Sequence, residues 1–346
     1  MAGSGTAHLR TDAERVLTVR DLVVEFPAGR KQKVHAVSGL DFDLLPGETL
    51  GILGESGCGK SSAAKAIMQL PRPTSGSVVF RNRELVELRE SELRRARARI
   101  QMIFQDPISS LNPRRRVRDL VAEGLSIWGY DGKNKDQLVR DTISAVGLDP
   151  DVVWDRRSYE LSGGQCQRIS IARALLMNPE VLVCDEPVSA LDVSVQAQIL
   201  NVLEDAKAKY GLSMIFIAHD VSVVKSISDR VMVLYLGKPC EVIDSADLDT
   251  AALHPYTQLL LSSIPEATPV LDSEDEAVHA EKGIAELPSP LAPPSGCRFR
   301  TRCPLATEKC AAEEPEMRQV RPGQFIACHH VEPPEHATDS SATPSA

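Results

Sequence analysis

Short apolar runs and amphipathic stretches alternate along most of the chain. Residues 16–26 and 38–53 show partial alternation of apolar and polar side chains, which is typical of strands, and Pro46-Gly47 is a turn signal within the second stretch. Strand-like and helix-like segments then follow one another, in the order VLVCD, VQAQILNVLEDAKAKY, LSMIFIAHD and VMVLYLG. This order predicts an α/β fold whose sheet is parallel at its centre.

The middle of the chain predicts mainly helices. Residues 60–70 hold good helix formers after a glycine-rich turn, and most segments between about 117 and 177 show helical spacing of their apolar residues. The basic stretch 81–99 has leucines at helical spacing, and the strand-like QMIFQ follows it. The helical segments therefore precede the apolar strand VLVCD.

The composition changes near the C-terminal end. Residues 265–296 are rich in proline and acidic side chains, which predicts a linker, and a compact cysteine-bearing stretch follows at 297–330. The tail 331–346 has almost no apolar residues to bury, so we expect it to be disordered. Residues 266–286 alone carry seven acids and one lysine, and thus −6 of the net charge of −9.

Length and hydropathy exclude some classes of protein. The 346 residues suffice for roughly two domains of about 150 residues each. No apolar run approaches the ~18 residues of a membrane-spanning helix, and the first residues lack the apolar core of a secretory signal. We therefore expect a chain that neither crosses a bilayer nor is exported, with cysteines that are reduced or ligate a metal.

The strongest motif is GESGCGKS at 54–61, a complete G-x-x-x-x-G-K-[ST] between an apolar strand and a helix. Its glycines let the backbone N–H groups surround phosphates, next to a helix N-terminus that favours anions. Lys60 supplies positive charge to the β- and γ-phosphates, and the Ser61 hydroxyl can ligate Mg²⁺. The ATP-binding candidates in this loop are Gly54, Ser56, Gly57, Gly59, Lys60, Ser61 and Ser62.

The segment VLVCDEP at 181–187 supplies a second half of this site. Four apolar residues form a buried strand that ends in Asp185, whose carboxylate can hold Mg²⁺ directly or through water. Glu186 follows and is placed to act as a general base on an attacking water. An Asp-Glu pair at a strand end is weak evidence alone, but its position after a phosphate-binding loop strengthens it.

Between these two motifs lies LSGGQ at 161–165, which resembles the signature of the ATP-binding cassette (ABC) ATPases. Other positions match this family in order, and the resemblance implies their roles. Gln105 takes the Q-loop position, as a catalytic and Mg²⁺-binding candidate that reports site occupancy to the helical subdomain. Asp192 lies in the D-loop, and His219 is the switch histidine that senses the γ-phosphate. Phe26 occupies the position at which the family stacks an aromatic ring on adenine.

The resemblance also implies a fold and a dimer. The expected architecture is a P-loop NTPase core of the ABC type at 14–250, with an antiparallel β subdomain and an inserted helical subdomain at about 106–176. A C-terminal region with a cysteine cluster is expected at 251–330. In a head-to-tail dimer, Ser162 and Gly164 of one subunit would close on the γ-phosphate bound by the partner.

Three further segments resemble the dipeptide and oligopeptide permease branch of that family. They are FQDPISSLNPRRRV at 104–117, CDEPVSALDVSVQAQIL at 184–200 and HPYTQLLLSSIP at 254–265. The sequences CDEPVSALDVS and DRVMVLYLGKPCEV resemble the second of the two ATPase subunits in such systems more than the first. The resemblance implies a partner ATPase subunit, two transmembrane permease subunits and an extracytoplasmic substrate-binding protein. It places the chain on the cytoplasmic face of the membrane, with peptides, nickel or oligosaccharides as alternative cargoes.

A rival interpretation is a soluble ABC ATPase that acts on nucleic acid or ribosomes. The arginines of 81–99 could contact phosphates, but glutamates interleave with them, which favours a solvated helix face, and aromatic residues for base stacking are lacking. The phosphate loop and the signature lie about 107 residues apart without a long insertion, and each occurs once. We therefore expect no nucleic-acid partner.

Four of the eight cysteines cluster near the C-terminal end, with the spacing C-x5-C-x6-C-x17-C. Four thiolates can hold zinc or an iron–sulfur cluster, and the spacing alone leaves both open, along with free thiols or disulfides. The resemblance to the permease branch favours a [4Fe-4S] cluster over Zn²⁺ at Cys297, Cys303, Cys310 and Cys328. The remaining cysteines are predicted to be small buried or loop residues, with Cys166 on a helix surface.

Overall fold

A computed structural model describes residues 5–29, 32–263 and 287–331. Most of the predicted linker and nearly all of the predicted disordered tail lie outside these residues. The described part forms two sheets with helices packed against them. The strands are β1 Leu17–Ala28, β2 Gln32–Leu44, β3 Thr49–Leu53, β4 Ser75–Phe80, β5 Arg83–Glu84, β6 Ile100–Ile103, β7 Val181–Asp185, β8 Ser213–Ala218, β9 Arg230–Tyr235, β10 Lys238–Asp244, β11 Arg318–Arg321 and β12 Gln324–Ile326.

The helices surround the larger sheet and form a cluster of their own in the middle of the chain. Short 3₁₀ turns occur at Ser158–Glu160, Ser245–Asp247 and Arg298–Thr301. The α-helices are α1 Lys60–Ile67, α2 Glu90–Arg99, α3 Pro107–Ser110, α4 Val117–Val121, α5 Glu123–Ile127, α6 Lys135–Ala145, α7 Pro150–Val153, α8 Gly163–Leu175, α9 Val193–Tyr210, α10 Val221–Ile227, α11 Leu248–Ala251, α12 Pro255–Ser262 and α13 Glu308–Ala312.

The larger sheet carries the predicted α/β core. Its strand order is β11-β12-β10-β9-β3-β8-β7-β6, and the pairs from β9 to β6 are parallel. Strands β3, β7 and β8 are buried along their whole length. Their nearly continuous apolar sequences follow from this, because both faces of a parallel sheet are covered. Their carboxyl ends lie at one edge of the sheet, where ligands of such folds bind.

The smaller sheet is antiparallel, with the order β2-β1-β4-β5. It packs on one face of the larger sheet, where alternate residues of the buried strands point, among them Leu50, Ile52, Val183 and Ile215. Helices α1 and α2 belong to this same layer. Other helices cover the opposite face, where α3, α4 and α6 pack around α8. The alternation of side chains along a strand thus divides the core into two apolar layers.

A buried network of charged side chains links the two sheets. Arg230 donates hydrogen bonds to Asp43 (3.0 Å) and Glu48 (3.1 Å), and all three side chains are less than a tenth exposed. Arg10 from the N-terminal segment reaches the same two carboxylates at 3.1 and 2.6 Å. Each buried carboxylate therefore has cationic partners, without which burial would be costly.

The C-terminal stretch is part of the main sheet. Strand β12 pairs antiparallel with β10, with Glu241 opposite Ile326, and β11 adds the outermost strand. This extension was not predicted, because β11 and β12 are only four and three residues long and show no clear alternation. Among the described residues, no helix is long and apolar enough to span a membrane.

Candidate nucleotide-binding site

The glycine-rich loop GESGCGKS joins the buried strand β3 to helix α1, the context that its sequence predicts. Gly59 begins the helix at φ +106°, and a Cβ there would lie 2.0 Å from the carbonyl oxygen of Ala36. Only glycine fits this position. No side chain caps α1, so its first N–H groups remain directed at the loop as an anion-binding cradle.

Lys60 lies inside this loop and is 3% exposed. Its Nζ donates to the carbonyl oxygens of Gly54 (2.7 Å) and Glu55 (3.0 Å), and lies 3.9 Å from a carboxylate oxygen of Glu186. The ammonium group is thus held by the loop's own backbone, on the side that faces the end of β7.

The two halves of the predicted site meet through a hydrogen bond. The Ser61 hydroxyl donates to Asp185 Oδ1 at 2.7 Å, although the residues are 124 positions apart. Asp185 ends β7 and is 2% exposed. Burial raises the pKa of its carboxyl group, and the hydrogen bond from Ser61 opposes that effect. A hydroxyl and a buried carboxylate side by side are the oxygen ligands that Mg²⁺ uses in phosphate-binding sites.

Glu186 follows directly and has a strained backbone, with φ +47°. Its carboxylate accepts a hydrogen bond from Gln105 Nε2 (2.9 Å) and lies 3.6 Å from His219 Nδ1. The glutamate is 7% exposed, whereas the histidine side chain is 49% exposed. A non-glycine residue in the left-handed region costs about 1–3 kcal/mol, and such strain is concentrated at functional sites. Three predicted residues therefore meet at the carboxyl ends of β6, β7 and β8.

The signature segment starts a helix at another part of the surface. Ser162 accepts a hydrogen bond from the Gln165 N–H (3.3 Å) and donates its own N–H to Gln165 Oε1 (3.0 Å), a capping box at the start of α8. A Cβ on Gly164 would lie 2.6 Å from Val195 Cγ1, so glycine is needed there too. Among the described residues, no hydrogen bond joins this segment to the phosphate loop.

Two other candidates also stand apart from the phosphate loop. Phe26 is half-buried in β1 against the core, opposite Val34 of β2. Asp192 is exposed immediately before α9. Within the described residues of one chain, neither side chain has a contact that identifies its predicted role.

The four cysteines scattered through the body, Cys58, Cys166, Cys184 and Cys240, are all buried. This confirms that they are small core side chains. The placement of Cys166 on a helix surface is wrong, because its thiol is fully buried and donates to the Ser158 carbonyl oxygen at 3.3 Å. Burial raises the pKa of all four thiols, so they remain protonated near neutral pH.

The four C-terminal cysteines lie in one neighbourhood. The Cys297 N–H donates to the Cys310 carbonyl oxygen (2.8 Å), and Cys310 Sγ lies 3.3 Å from His330 Nε2. Burial and then the nearby thiols raise the pKa of Cys297 to about 11. However, the described residues contain no group of three or more cysteine, histidine or acidic side chains that could hold a metal ion. The structure therefore does not support the expected cluster of Cys297, Cys303, Cys310 and Cys328 around iron–sulfur or zinc.

Comparison with known proteins identifies the family of this chain. The chain is 49% identical over 316 residues to the "putative oligopeptide transport ATP-binding protein YkfD" of Bacillus subtilis, covering 91% of this chain and 95% of that protein. It belongs to the ABC transporter ATPase family. A second relative, the "oligopeptide transport ATP-binding protein OppF" of Salmonella typhimurium, is 45% identical over 333 residues, or 92% of this chain and 97% of that one.

Family models and solved structures agree with this assignment. The model described as "ABC transporter" matches residues 37–189, and one described as "oligopeptide/dipeptide transporter, C-terminal region" matches 240–310. The dimeric ATP-binding cassette MJ0796, solved with ADP and phosphate, is 26% identical with a TM-score of 0.61, covering 66% of this chain and 98% of that one. The expected ABC ATPase fold is thereby confirmed, apart from the cysteine ligation.

As an ABC ATPase, the chain binds ATP with Mg²⁺ and couples ATP hydrolysis to transport. The adjacent oxygens of Ser61 and Asp185 fit a Mg²⁺ site. The sequence did not reveal that two C-terminal residues also reach the phosphate loop, namely Tyr256 and Arg302, both of which contact Glu55. The HPY segment that contains Tyr256 was a signal of family membership, but nothing in the sequence distinguishes Arg302 from neighbouring arginines.

Proposed function

We propose that this ABC ATPase is the ATP-hydrolysing subunit of an importer of di- and oligopeptides. The observation that carries the proposal is the match of residues 240–310 to the C-terminal region of oligopeptide and dipeptide transporters. Relatives named as oligopeptide transport or peptide import ATP-binding proteins, at 44–49% identity over at least 90% of this chain, support it. Nickel and oligosaccharides are the alternative cargoes, and the ATPase site itself does not select between them.

Glu186 acts as the general base in this proposal. Its carboxylate lies at the end of β7, close to Lys60, and the amide of Gln105 orients it through the 2.9 Å hydrogen bond. A water held by the carboxylate and by His219 would then be aligned with the γ-phosphate, and Glu186 would accept its proton. The strained φ of Glu186 directs its side chain into this position.

Ser61, Asp185 and Gln105 would hold Mg²⁺, which neutralises charge on the phosphates when it is bound. The first two already lie within hydrogen-bond distance of each other, and Gln105 is linked to the same region through Glu186. The residues of the phosphate loop bind the β- and γ-phosphates through backbone N–H groups and Lys60, and Phe26 stacks on the adenine ring.

A head-to-tail dimer completes each site. The N-terminus of α8, which begins after Ser162, and the close backbone approach allowed by Gly164 suit an anion presented by another subunit. Large apolar side chains are exposed beside this segment, namely Tyr159 (64%) and Val193 (81%). Asp192 lies next to Val193 and would meet the partner at the same interface. The second ATPase subunit of the importer is the expected partner.

A groove near Gln105 is the proposed contact with the membrane-embedded permease subunits. Its volume is about 740 Å³, and it lies between the sheet and the helical layer. Exposed Ile127 and Trp128 form part of its wall, and Gln105 connects it to the catalytic glutamate. Movement of the helices on ATP binding would thus reach the two permease subunits. In this proposal the chain lies on the cytoplasmic face of the membrane, in a system with an extracytoplasmic substrate-binding protein.

Co-expression tests this function against its rival. The chain is expected to remain with the membrane fraction only when the two permease subunits are present, and to leave it when exposed Trp128 in the groove is replaced by Glu. A matched control is Tyr130→Glu, which changes an exposed aromatic residue that is not among the residues lining the groove. ATP hydrolysis that is stimulated by DNA or ribosomes, without retention by permeases, would instead favour the soluble ABC ATPase.

The assignment of the C-terminal cysteines to iron–sulfur or zinc rests on their number and on family resemblance. No step of the proposed cycle depends on a metal at these residues.

A further inference from the structure

The C-terminal region holds the phosphate-binding loop through an ion pair. Arg302 donates two hydrogen bonds to the carboxylate of Glu55, at 2.6 and 2.8 Å, across 247 positions of sequence. The arginine side chain is 4% exposed and the glutamate side chain 29% exposed. A two-point contact between a guanidinium and a carboxylate fixes both the position and the orientation of the acid.

Aromatic rings of the core hold Arg302 in place. Its guanidinium carbon lies 5.8 Å from the ring centre of Tyr235 and 5.9 Å from that of Phe299. These two rings are fully buried and meet edge to face, with centroids 5.2 Å apart. The hydrogen bonds to Glu55 raise the pKa of the guanidinium further, so it is charged at every relevant pH. Glu55 therefore meets a fixed positive charge.

A second contact from the same side holds the backbone of Glu55. Its N–H donates to the hydroxyl oxygen of Tyr256 at 2.9 Å. Tyr256 is fully buried at the start of α12, where its own N–H donates to His254 Nδ1 (3.1 Å). Glu241 accepts from the N–H of His254 (3.2 Å) and thus ties that turn to β10. The side chain and the backbone of Glu55 are both attached to C-terminal elements.

The charge of Glu55 makes these contacts relevant to ATP. The residue follows Gly54 at the start of the loop, and its carbonyl oxygen accepts a hydrogen bond from Lys60 (3.0 Å). An unpaired carboxylate there would repel the phosphates and would compete for the lysine. The ion pair with Arg302 neutralises this charge and orients the Glu55 carboxylate toward the C-terminal region.

We propose that Arg302 is a positioning residue for the phosphate-binding loop: it neutralises Glu55 and directs its carboxylate away from the ATP phosphates, so that the C-terminal region sets the affinity for ATP. This inference rests on the proposed ATPase function and adds a role for residues outside the nucleotide motifs.

Charge rescue tests the role of Arg302. Equilibrium binding of a fluorescent ATP analogue, N-methylanthraniloyl-ATP, is measured with Mg²⁺ for wild type, Arg302→Met, Glu55→Gln and the double variant. Arg302→Met is expected to weaken binding about tenfold, the effect of one uncompensated charge near the phosphates. The double variant is expected to return to within about threefold of wild type, because the repelling carboxylate is gone. Arg300→Met is the matched control, since Arg300 lies on the neighbouring turn Arg298–Thr301 and donates to the Ser295 carbonyl oxygen at 3.0 Å. Among the described residues, no hydrogen bond or ion pair joins it to Glu55.

Two results would overturn the inference. One is unchanged binding by Arg302→Met; the other is weak binding by a double variant that folds as wild type does by circular dichroism, since loss of packing alone is not rescued by Glu55→Gln. If Arg302→Met does not fold, Arg302→Lys and Arg302→Gln replace it. The lysine variant is expected to bind the ATP analogue more tightly than the glutamine variant, because it keeps a positive charge. The reverse order of affinities would contradict the role of Arg302 in neutralising Glu55. Failure of the ATPase function is distinct, because the wild-type protein itself would then not bind the analogue.

Discussion

Replacement of Glu186 by Gln isolates the chemical step from ATP binding. The substitution keeps an oxygen that can accept the hydrogen bond from Gln105, and it leaves the left-handed backbone and the buried packing unchanged. It removes the negative charge that lies 3.9 Å from Lys60 and 3.6 Å from His219. With that charge, the variant loses the capacity to accept a proton from water. General-base catalysis contributes about 10²–10⁴-fold, which corresponds to about 3–5 kcal/mol of activation free energy.

Phosphate release by the assembled transporter measures this loss. We expect kcat to fall by at least about 100-fold in Glu186→Gln, while the affinity for the fluorescent ATP analogue stays within about threefold of wild type. Glu204→Gln is the control, because it makes the same change at an exposed position of α9. Hydrolysis within about threefold of wild type, in a variant that binds ATP, would refute the assignment of the base.

Other parts of the chain give predictions of stability and packing. Arg230→Met should lower the free energy of unfolding by about 3 kcal/mol in urea titrations, because buried Asp43 loses a partner; a loss below about 1 kcal/mol would show that Arg10 compensates fully. Burial lowers the pKa of His254 from 6.5 to about 4, so the unfolded state binds the extra proton in that window. The free energy of unfolding should therefore fall by about 3 kcal/mol as the pH drops from 6.5 toward 4. His254→Asn, whose side chain can still cap α12, should remove this pH dependence. An unchanged pH dependence in the variant would contradict the role of His254. Gly164→Ala should lower the thermal midpoint, because the added methyl group crowds Val195, and it should also reduce ATP hydrolysis. Adding Val195→Ala to this variant should restore the thermal midpoint but not hydrolysis. Recovery of hydrolysis in the double variant would refute the proposed approach of Gly164 to the partner's ATP.

Apolar runs were sufficient to locate the central strands. The runs VLVCD and LSMIFIAHD predict β7 and β8, because a strand that is buried on both faces has a nearly continuous apolar sequence. The pattern was less useful for β11 and β12, which are too short to show alternation and depend on pairing with β10. It also did not reveal β4, whose sequence SGSVVF has only three large side chains.

The nucleotide site followed from motifs because its chemistry requires particular residues at fixed spacings. The loop, Asp185 and Glu186 were found, and the structure brings them together with Gln105 and His219. The contact of Arg302 with Glu55 could not be found in this way, since an arginine and a glutamate 247 positions apart carry no local signal. The cysteine spacing shows the opposite failure, because four clustered thiols indicated a metal site that the described residues do not support.

Uptake of labelled peptide by proteoliposomes tests the central claim most directly. The vesicles contain this chain, its partner ATPase and the two permease subunits, with the substrate-binding protein and labelled peptide on one side and ATP with Mg²⁺ on the other. We expect ATP-dependent accumulation of di- or oligopeptide that is lost with Glu186→Gln and retained with Glu204→Gln. Accumulation of nickel or an oligosaccharide in place of peptide would contradict the cargo, and uptake that is unaffected by Glu186→Gln would contradict the proposed role of this chain as the motor.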